Sequence, residues 1–165
     1  MQILFFDEWL TIVLCFVLWA AMPTVLTFLC IAIPDRFFSP GRFYFRSYGW
    51  EKGGEIYNRI FAVKRWKFLL PDGASIVKGG YKKKNITDFS IQNLRKFCVE
   101  SCRAELLHVL VFAFFWIFGY FVPPNALFYM FLYALVTNLP CVLVQRYNRP
   151  RVLALVSKRE NRQTA

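Results

Sequence analysis

Three uninterrupted apolar runs set the limits on how this chain can fold. Leu10 to Ile33 holds no charged residue over 24 positions. Leu106 to Asn125 holds no Lys, Arg, Asp or Glu over 20, although His108 lies within it. Ala126 to Val144 holds none over 19. About 20 helical residues cross a hydrocarbon core of roughly 30 Å, so each run is long enough. Pro123-Pro124-Asn125 reads as a tight turn between the second run and the third. The expected fold is an all-α integral membrane protein, one membrane domain over residues 1–165. Its transmembrane helices are expected at about 10–33, 106–122 and 127–144. A cytoplasmic loop, 34–105, carries basic, aromatic and interfacial amphipathic segments, and a cytoplasmic tail covers 145–165.

Composition and charge agree with this. The chain is 57% hydrophobic and 19% aromatic, yet its formal charge is +11. A soluble domain of this size cannot hide that much Phe and Trp, whereas a membrane protein with a basic face can. Of the 21 Lys and Arg residues, 15 fall in Asp35 to Glu105 and 6 in Gln145 to Ala165. Basic residues collect on the cytoplasmic side, which puts the N-terminus and the Pro-Pro turn outside. The first run lacks a basic leader and a clear cleavage site, so it is expected to remain as a span. Pro23 inside it removes a helix hydrogen bond and is a candidate kink.

The cytoplasmic loop has its own pattern. Ile56, Ile60 and Val63 repeat at helical spacing, so Glu51 to Lys64 is expected to form a short amphipathic helix. Trp50, Tyr57, Phe61, Trp66 and Phe68 alternate with Arg59, Lys64, Arg65 and Lys67. Rings at the ester level and cations at phosphate suit the headgroup zone, so membrane lipids are the expected partner rather than nucleic acid. Leu70-Pro-Asp-Gly73 signals a turn. Ser75 to Tyr81 reads as a short strand or extended loop, and Lys82-Lys83-Lys84 as a solvated or lipid-facing charge run. Thr87 is placed to cap a helix through Ile91, Leu94 and Cys98 into the second run. Asn85-Ile-Thr87 matches a glycosylation sequon, but on the cytoplasmic side. Five cysteines with one histidine and no close Cys pair give no zinc pattern, so no metal is expected.

Polar clusters flank each run on the cytoplasmic side: Ile33-Pro-Asp-Arg36, Arg103-Ala-Glu-Leu-Leu-His108, and Gln145-Arg-Tyr-Asn-Arg-Pro-Arg151. Lying in one leaflet, they are expected to share a pocket. His108 is a candidate general base, because a neutral imidazole accepts a hydroxyl proton near pH 7. Glu105, three residues earlier, is placed to orient the ring; the competing reading is a packing hydrogen bond between the two. A carboxylate at a lipid boundary needs a cation, and Arg103, Arg146 or Arg149 can supply it. The Arg-rich stretch after the third run suits phosphate or carboxylate, or is simply a stop-transfer flank. Asn138 and Pro140 are expected to pack or bend the third helix.

Taken in order, these motifs resemble one family. They are Ile33-Pro-Asp35, Glu51-Lys52, Asn58 through Trp66-Lys67 to Asp72-Gly73, Arg103 to His108, and Gln145 to Arg151. The chain is similar to glycosyl-diaponeurosporenoate acyltransferases of staphyloxanthin-type carotenoid biosynthesis, from about Ile33 to Arg151. The resemblance implies transfer of a fatty acyl group to a sugar hydroxyl of a membrane-bound glycosylated isoprenoid.

Chemistry then suggests roles. His108 removes the hydroxyl proton, Glu105 holds His108, and Arg103, Asn148 or Arg149 donate to the oxyanion. Arg146, Arg151, Lys64 and Lys67 hold the phosphates of an acyl carrier such as coenzyme A. Asn58 and Asp72 bind sugar hydroxyls, Trp66 stacks on a sugar or anchors in the interface, and Gln145 completes the binding set. No Cys or Ser has a convincing triad partner, which favours direct transfer. No bound cofactor is expected. Two alternatives stay open: another small lipid-modifying membrane transferase, and a non-catalytic polybasic membrane scaffold.

Overall fold

A computed structural model of the chain describes residues 2–70 and 88–163. Three long helices dominate it: α1 (Glu8–Ala32), α4 (Ile91–Ala113) and α5 (Pro124–Gln163), with two short ones, α2 (Glu55–Phe61) and α3 (Val63–Trp66), between α1 and α4. No strand occurs among the described residues. The chain divides into two compact units, Met1–Ile33 with Leu106–Pro140, and Pro34–Glu105 with Cys141–Ala165. We call them the apolar and the polar unit.

In the apolar unit, Asp7 starts α1 by accepting the Leu10 N–H at 2.8 Å, satisfying one of the orphan donors of a first helical turn. The helix runs through Pro23 without a break. After Ala113 the second apolar run tightens into a 3-10 stretch, Phe114–Tyr120, rather than continuing as α-helix to residue 122. Pro124 opens α5, a position where its missing N–H costs nothing. Phe118, Phe121 and Val122 are buried against Leu14, Leu18, Trp19 and Met22. Trp19 stacks on Phe118 at 4.8 Å between ring centroids and meets Tyr133 edge-on at 5.0 Å. Other large side chains face outward: Trp9 is 80% exposed and Phe16 74%. The three long helical stretches, Glu8–Ala32, Ile91–Tyr120 and Pro124–Gln163, are long and apolar enough to cross a membrane.

The polar unit is built differently. The segment expected as one amphipathic helix over 51–64 is broken twice. A 3-10 turn, Gly49–Gly54, precedes α2, with Lys52, Gly53 and Gly54 all at positive φ. Ala62, also at positive φ (50°), then separates α2 from α3. Asn58 holds this second break: its carbonyl accepts the Ala62 N–H at 2.9 Å and its Oδ1 accepts the Lys64 N–H at 3.1 Å. Local hydrogen bonding by a short amide side chain wins here over hydrophobic periodicity. Ser90 caps α4: its Oγ accepts the Asn93 N–H at 3.3 Å. Thr87, the expected turn at 70–73 beyond Leu70, the segment 75–81, the lysine run and the sequon all lie outside the described residues.

Among the described residues, two apolar clusters lie in the polar unit. Leu94, Phe97 and Cys98 of α4 pack on Val152 and Val156 of α5, and Val63 packs on Leu143 and Tyr147. Burying such side chains contributes roughly 1.5–3 kcal/mol each. Gly54 fits against the backbone of α5. A Cβ built there would lie 2.9 Å from the carbonyl oxygens of Arg146 and Tyr147, and its φ of +86° suits glycine. Pro150 explains part of the fit, because proline has no N–H to offer the Arg146 carbonyl one turn earlier.

Candidate functional site

The polar unit contains a buried charge network that no local sequence pattern announces. Glu51 and Glu105 are each 1% exposed, and Arg149 is 2% exposed. Arg146 joins the two carboxylates, with Nε 2.6 Å from Glu105 Oε1 and Nη1 3.1 Å from Glu51 Oε1. Its Nη1 also donates to the Arg46 carbonyl at 3.2 Å and its Nη2 to the Tyr44 carbonyl at 2.6 Å. Glu51 accepts the Tyr48 N–H at 2.9 Å and the Tyr57 hydroxyl. Arg149 Nη2 lies 2.6 Å from Glu105 Oε2, close enough for charge pairing but without the alignment of a hydrogen bond. Two carboxylates thus neutralise two guanidiniums away from water. Removing either sign alone would strand a buried charge.

Proton affinities follow from this packing. Burial pushes the Glu51 carboxyl up, but hydrogen bonds from Tyr57, Tyr48 and Ser47 and the Arg146 charge outweigh it and hold the group below the usual carboxylate range. Tyr57 is raised, by burial first and then by its bond to Glu51. Lys67 is lowered, by burial first and then by Arg151 and Lys64.

One donor in the network has no oxygen acceptor. Arg149 Nη1 is buried without a hydrogen-bond partner, as is Ser101 Oγ. The Cys102 thiol lies against the Arg149 guanidinium, but a thiol is a weak acceptor. The Phe45 ring sits 5.8 Å from the Arg149 guanidinium carbon.

A separate polar pair lies within the apolar unit. His108 Nδ1 is 3.0 Å from Asn138 Oδ1. Asn138 is 6% exposed, and its Nδ2 donates to the Ala134 carbonyl at 2.8 Å. A carbonyl can only accept, so the amide nitrogen must face Ala134 and the amide oxygen must face the ring. The imidazole therefore carries its proton on Nδ1, and in the neutral ring the lone pair is on Nε2. Asn138, expected only to pack or bend its helix, is the residue that sets the tautomer.

Each expected site residue has its own surroundings. Glu105, expected to need a cation, has two within its own unit: Arg146 and Arg149 meet its carboxylate. Arg103 turns to Glu100 and Asp35, beneath the Phe38 ring at 4.7 Å, so its charge is directed at carboxylates. Four of the five N–H donors of Arg146 are taken by protein oxygens, which makes it an internal strut rather than a phosphate clamp. Arg151 bonds Glu55 at 2.5 Å and lies 3.6 Å from the centre of the Tyr147 ring. Lys67 Nζ donates to Asn148 Oδ1 at 3.0 Å and sits 5.0 Å from the Tyr147 ring. The Trp66 indole N–H donates to the Phe61 carbonyl at 2.7 Å. Asn58 spends its side chain on the break after α2. Lys64 is exposed and Gln145 half-buried on α5. Asp72 lies outside the described residues. Sequence reasoning missed Glu51 and Tyr57 as network members, because their partner Arg146 is 95 residues from Glu51.

Comparison with known proteins supplies the class. The family described as CrtO, glycosyl-4,4'-diaponeurosporenoate acyltransferase, matches residues 40–158. The protein of that name from Staphylococcus aureus strain MRSA252 is 32% identical over 143 residues, 86% of either chain. Those from strains bovine RF122 / ET3-1 and USA300 are 31% identical over the same share. No solved structure matches. The chain is an acyltransferase. It belongs to the glycosyl-4,4'-diaponeurosporenoate acyltransferase family, and its place is in carotenoid biosynthesis.

Proposed function

We propose that this chain is a multi-pass enzyme of the cytoplasmic membrane, with its N-terminus outside and its C-terminus inside. It moves a fatty acyl group from an acyl thioester, such as an acyl-coenzyme A, to a sugar hydroxyl of a glycosylated carotenoid or related glycolipid. Support for the membrane comes from the three long apolar helices and the one-sided placement of Lys and Arg. His108 acts through Nε2. As the hydroxyl oxygen attacks the thioester carbon, Nε2 takes the hydroxyl proton. The C–O bond forms, the C–S bond breaks, and the proton passes from the imidazolium to the departing thiolate.

The observation that carries the chemistry is the Asn138 clamp on Nδ1, which presents the basic nitrogen of a neutral ring. The test uses membranes supplied with labelled acyl thioester and glycosylated carotenoid. His108→Ala is expected to lower the transfer rate by roughly 10²–10⁴-fold, the usual worth of a general base. Wild-type turnover by that variant removes the base. Label found on phospholipid and never on the glycosylated carotenoid removes the acceptor.

A further inference from the structure

The stretch from Arg36 to Tyr48 has two unlike faces. Inward, Phe38 is 1% exposed and Phe45 6%, and the carbonyls of Tyr44 and Arg46 hold the Arg146 guanidinium. Outward, Phe43 is 75% exposed and Phe37 43%. Cations lie over these outer rings: Arg36 and Arg42 at 5.2 and 5.3 Å from Phe37, and Arg46 at 5.4 Å from Phe43 and 4.8 Å from Tyr48.

The described carboxylates of the polar unit are committed elsewhere. Asp35, Glu51, Glu55, Glu100, Glu105 and Glu160 each pair with an arginine, namely Arg95, Arg103, Arg146, Arg149 or Arg151, and Asp88 accepts from Ser90. Among the described residues no carboxylate pairs with Arg36, Arg42 or Arg46. The outer face is therefore cationic and aromatic, with its charge unneutralised. It also follows Ile33, the C-cap of the first apolar helix, by three residues in sequence. Rings that sit among ester groups and cations that meet phosphate match the surface of an anionic bilayer.

We infer that residues 36–48 are a docking surface for an anionic bilayer face, and that seating them there holds the Arg146 guanidinium on which the buried network depends. The inference rests on the membrane reading above and adds lipid selectivity and its effect on the enzyme. Acyl transfer should rise with the anionic fraction of the membrane.

The experiment reconstitutes the full chain in nanodiscs of phosphatidylcholine with increasing phosphatidylglycerol. The triple variant R36Q/R42Q/R46Q is compared with a control, K158Q/R159Q/R162Q, that removes equal charge from the end of α5. Native mass spectrometry reads the ratio of anionic to zwitterionic lipid retained. The first variant is expected to lose enrichment on the order of tenfold, and the control to keep it. Phe43→Ser, which leaves the charge intact, is expected to weaken retention of both lipids. Equal loss in the two triple variants would mean net charge alone, and would overturn the proposal. So would an acyl-transfer rate that ignores the phosphatidylglycerol fraction while the enzyme is active. If wild type turns nothing over in any membrane yet retains anionic lipid through this segment, the acyl-transfer reading fails and the docking surface stands.

Discussion

The two units solve opposite problems. In the apolar unit, large side chains such as Trp9 and Phe16 remain exposed, and a buried amide orients the imidazole of His108. In the polar unit, two carboxylates, Glu51 and Glu105, and one guanidinium, Arg149, are buried to within about 2% of full enclosure. The first uses a buried amide to set a tautomer. The second spends most of its polar contacts on holding itself together. A charged residue in a candidate site is thus not necessarily chemical, and a lone amide in an apolar helix is not necessarily structural.

Substitutions can break or sharpen this contrast. Glu105→Ala should have the largest effect, since it leaves buried Arg149 without a carboxylate and Arg146 with Glu51 alone; a loss of about 3–5 kcal/mol is expected. Thermal unfolding in detergent measures it, and a melting point near wild type would mean that the network is not holding the unit. Tyr57→Phe should cost about 1.5–3 kcal/mol at neutral pH, the worth of a hydrogen bond to a charged group. Because the folded Glu51 carboxyl is held low, its stabilisation is complete above the ordinary carboxylate range and disappears as pH falls through the lowered value. The gap between wild type and Tyr57→Phe should therefore narrow in acid, which paired melts at pH 7 and pH 3 would show.

In the apolar unit the expected signature reverses. Asn138→Ala should lower turnover roughly tenfold by freeing the tautomer, about 1.4 kcal/mol in the barrier. It should also alter the pH–rate profile, with a smaller change in unfolding temperature than Glu105→Ala. Unchanged kinetics with a large melting shift would make the pair purely structural. At the small end, Arg95→Ala removes an ion pair whose side chains are 67% and 37% exposed, and should cost under about 1 kcal/mol. A larger effect would blur the line between buried and surface charge in this unit.

How much of this was legible beforehand follows the range of each interaction. The long helices were, because an apolar run of some twenty residues leaves few alternatives. The demand of Glu105 for a cation was legible from the cost of a buried carboxylate, but the choice among Arg103, Arg146 and Arg149 was not. Glu51 and Tyr57 gave no local signal, since their meeting with Arg146 depends on tertiary packing. The break at Ala62 was hidden because Ile56, Ile60 and Val63 keep helical spacing while Asn58 redirects the backbone. The His108–Asn138 pair could have been suspected from an amide and an imidazole in separate apolar runs, but not its geometry.

The absent side chain at position 54, set against the helix turn whose carbonyl Pro150 leaves unserved, works as a registration mark. Anyone splicing pieces of related enzymes together should move the 49–54 turn and the 146–151 stretch of α5 as one cassette. A chimera that exchanges only one would bring a methyl group, or a shifted turn, to a place with no room for it.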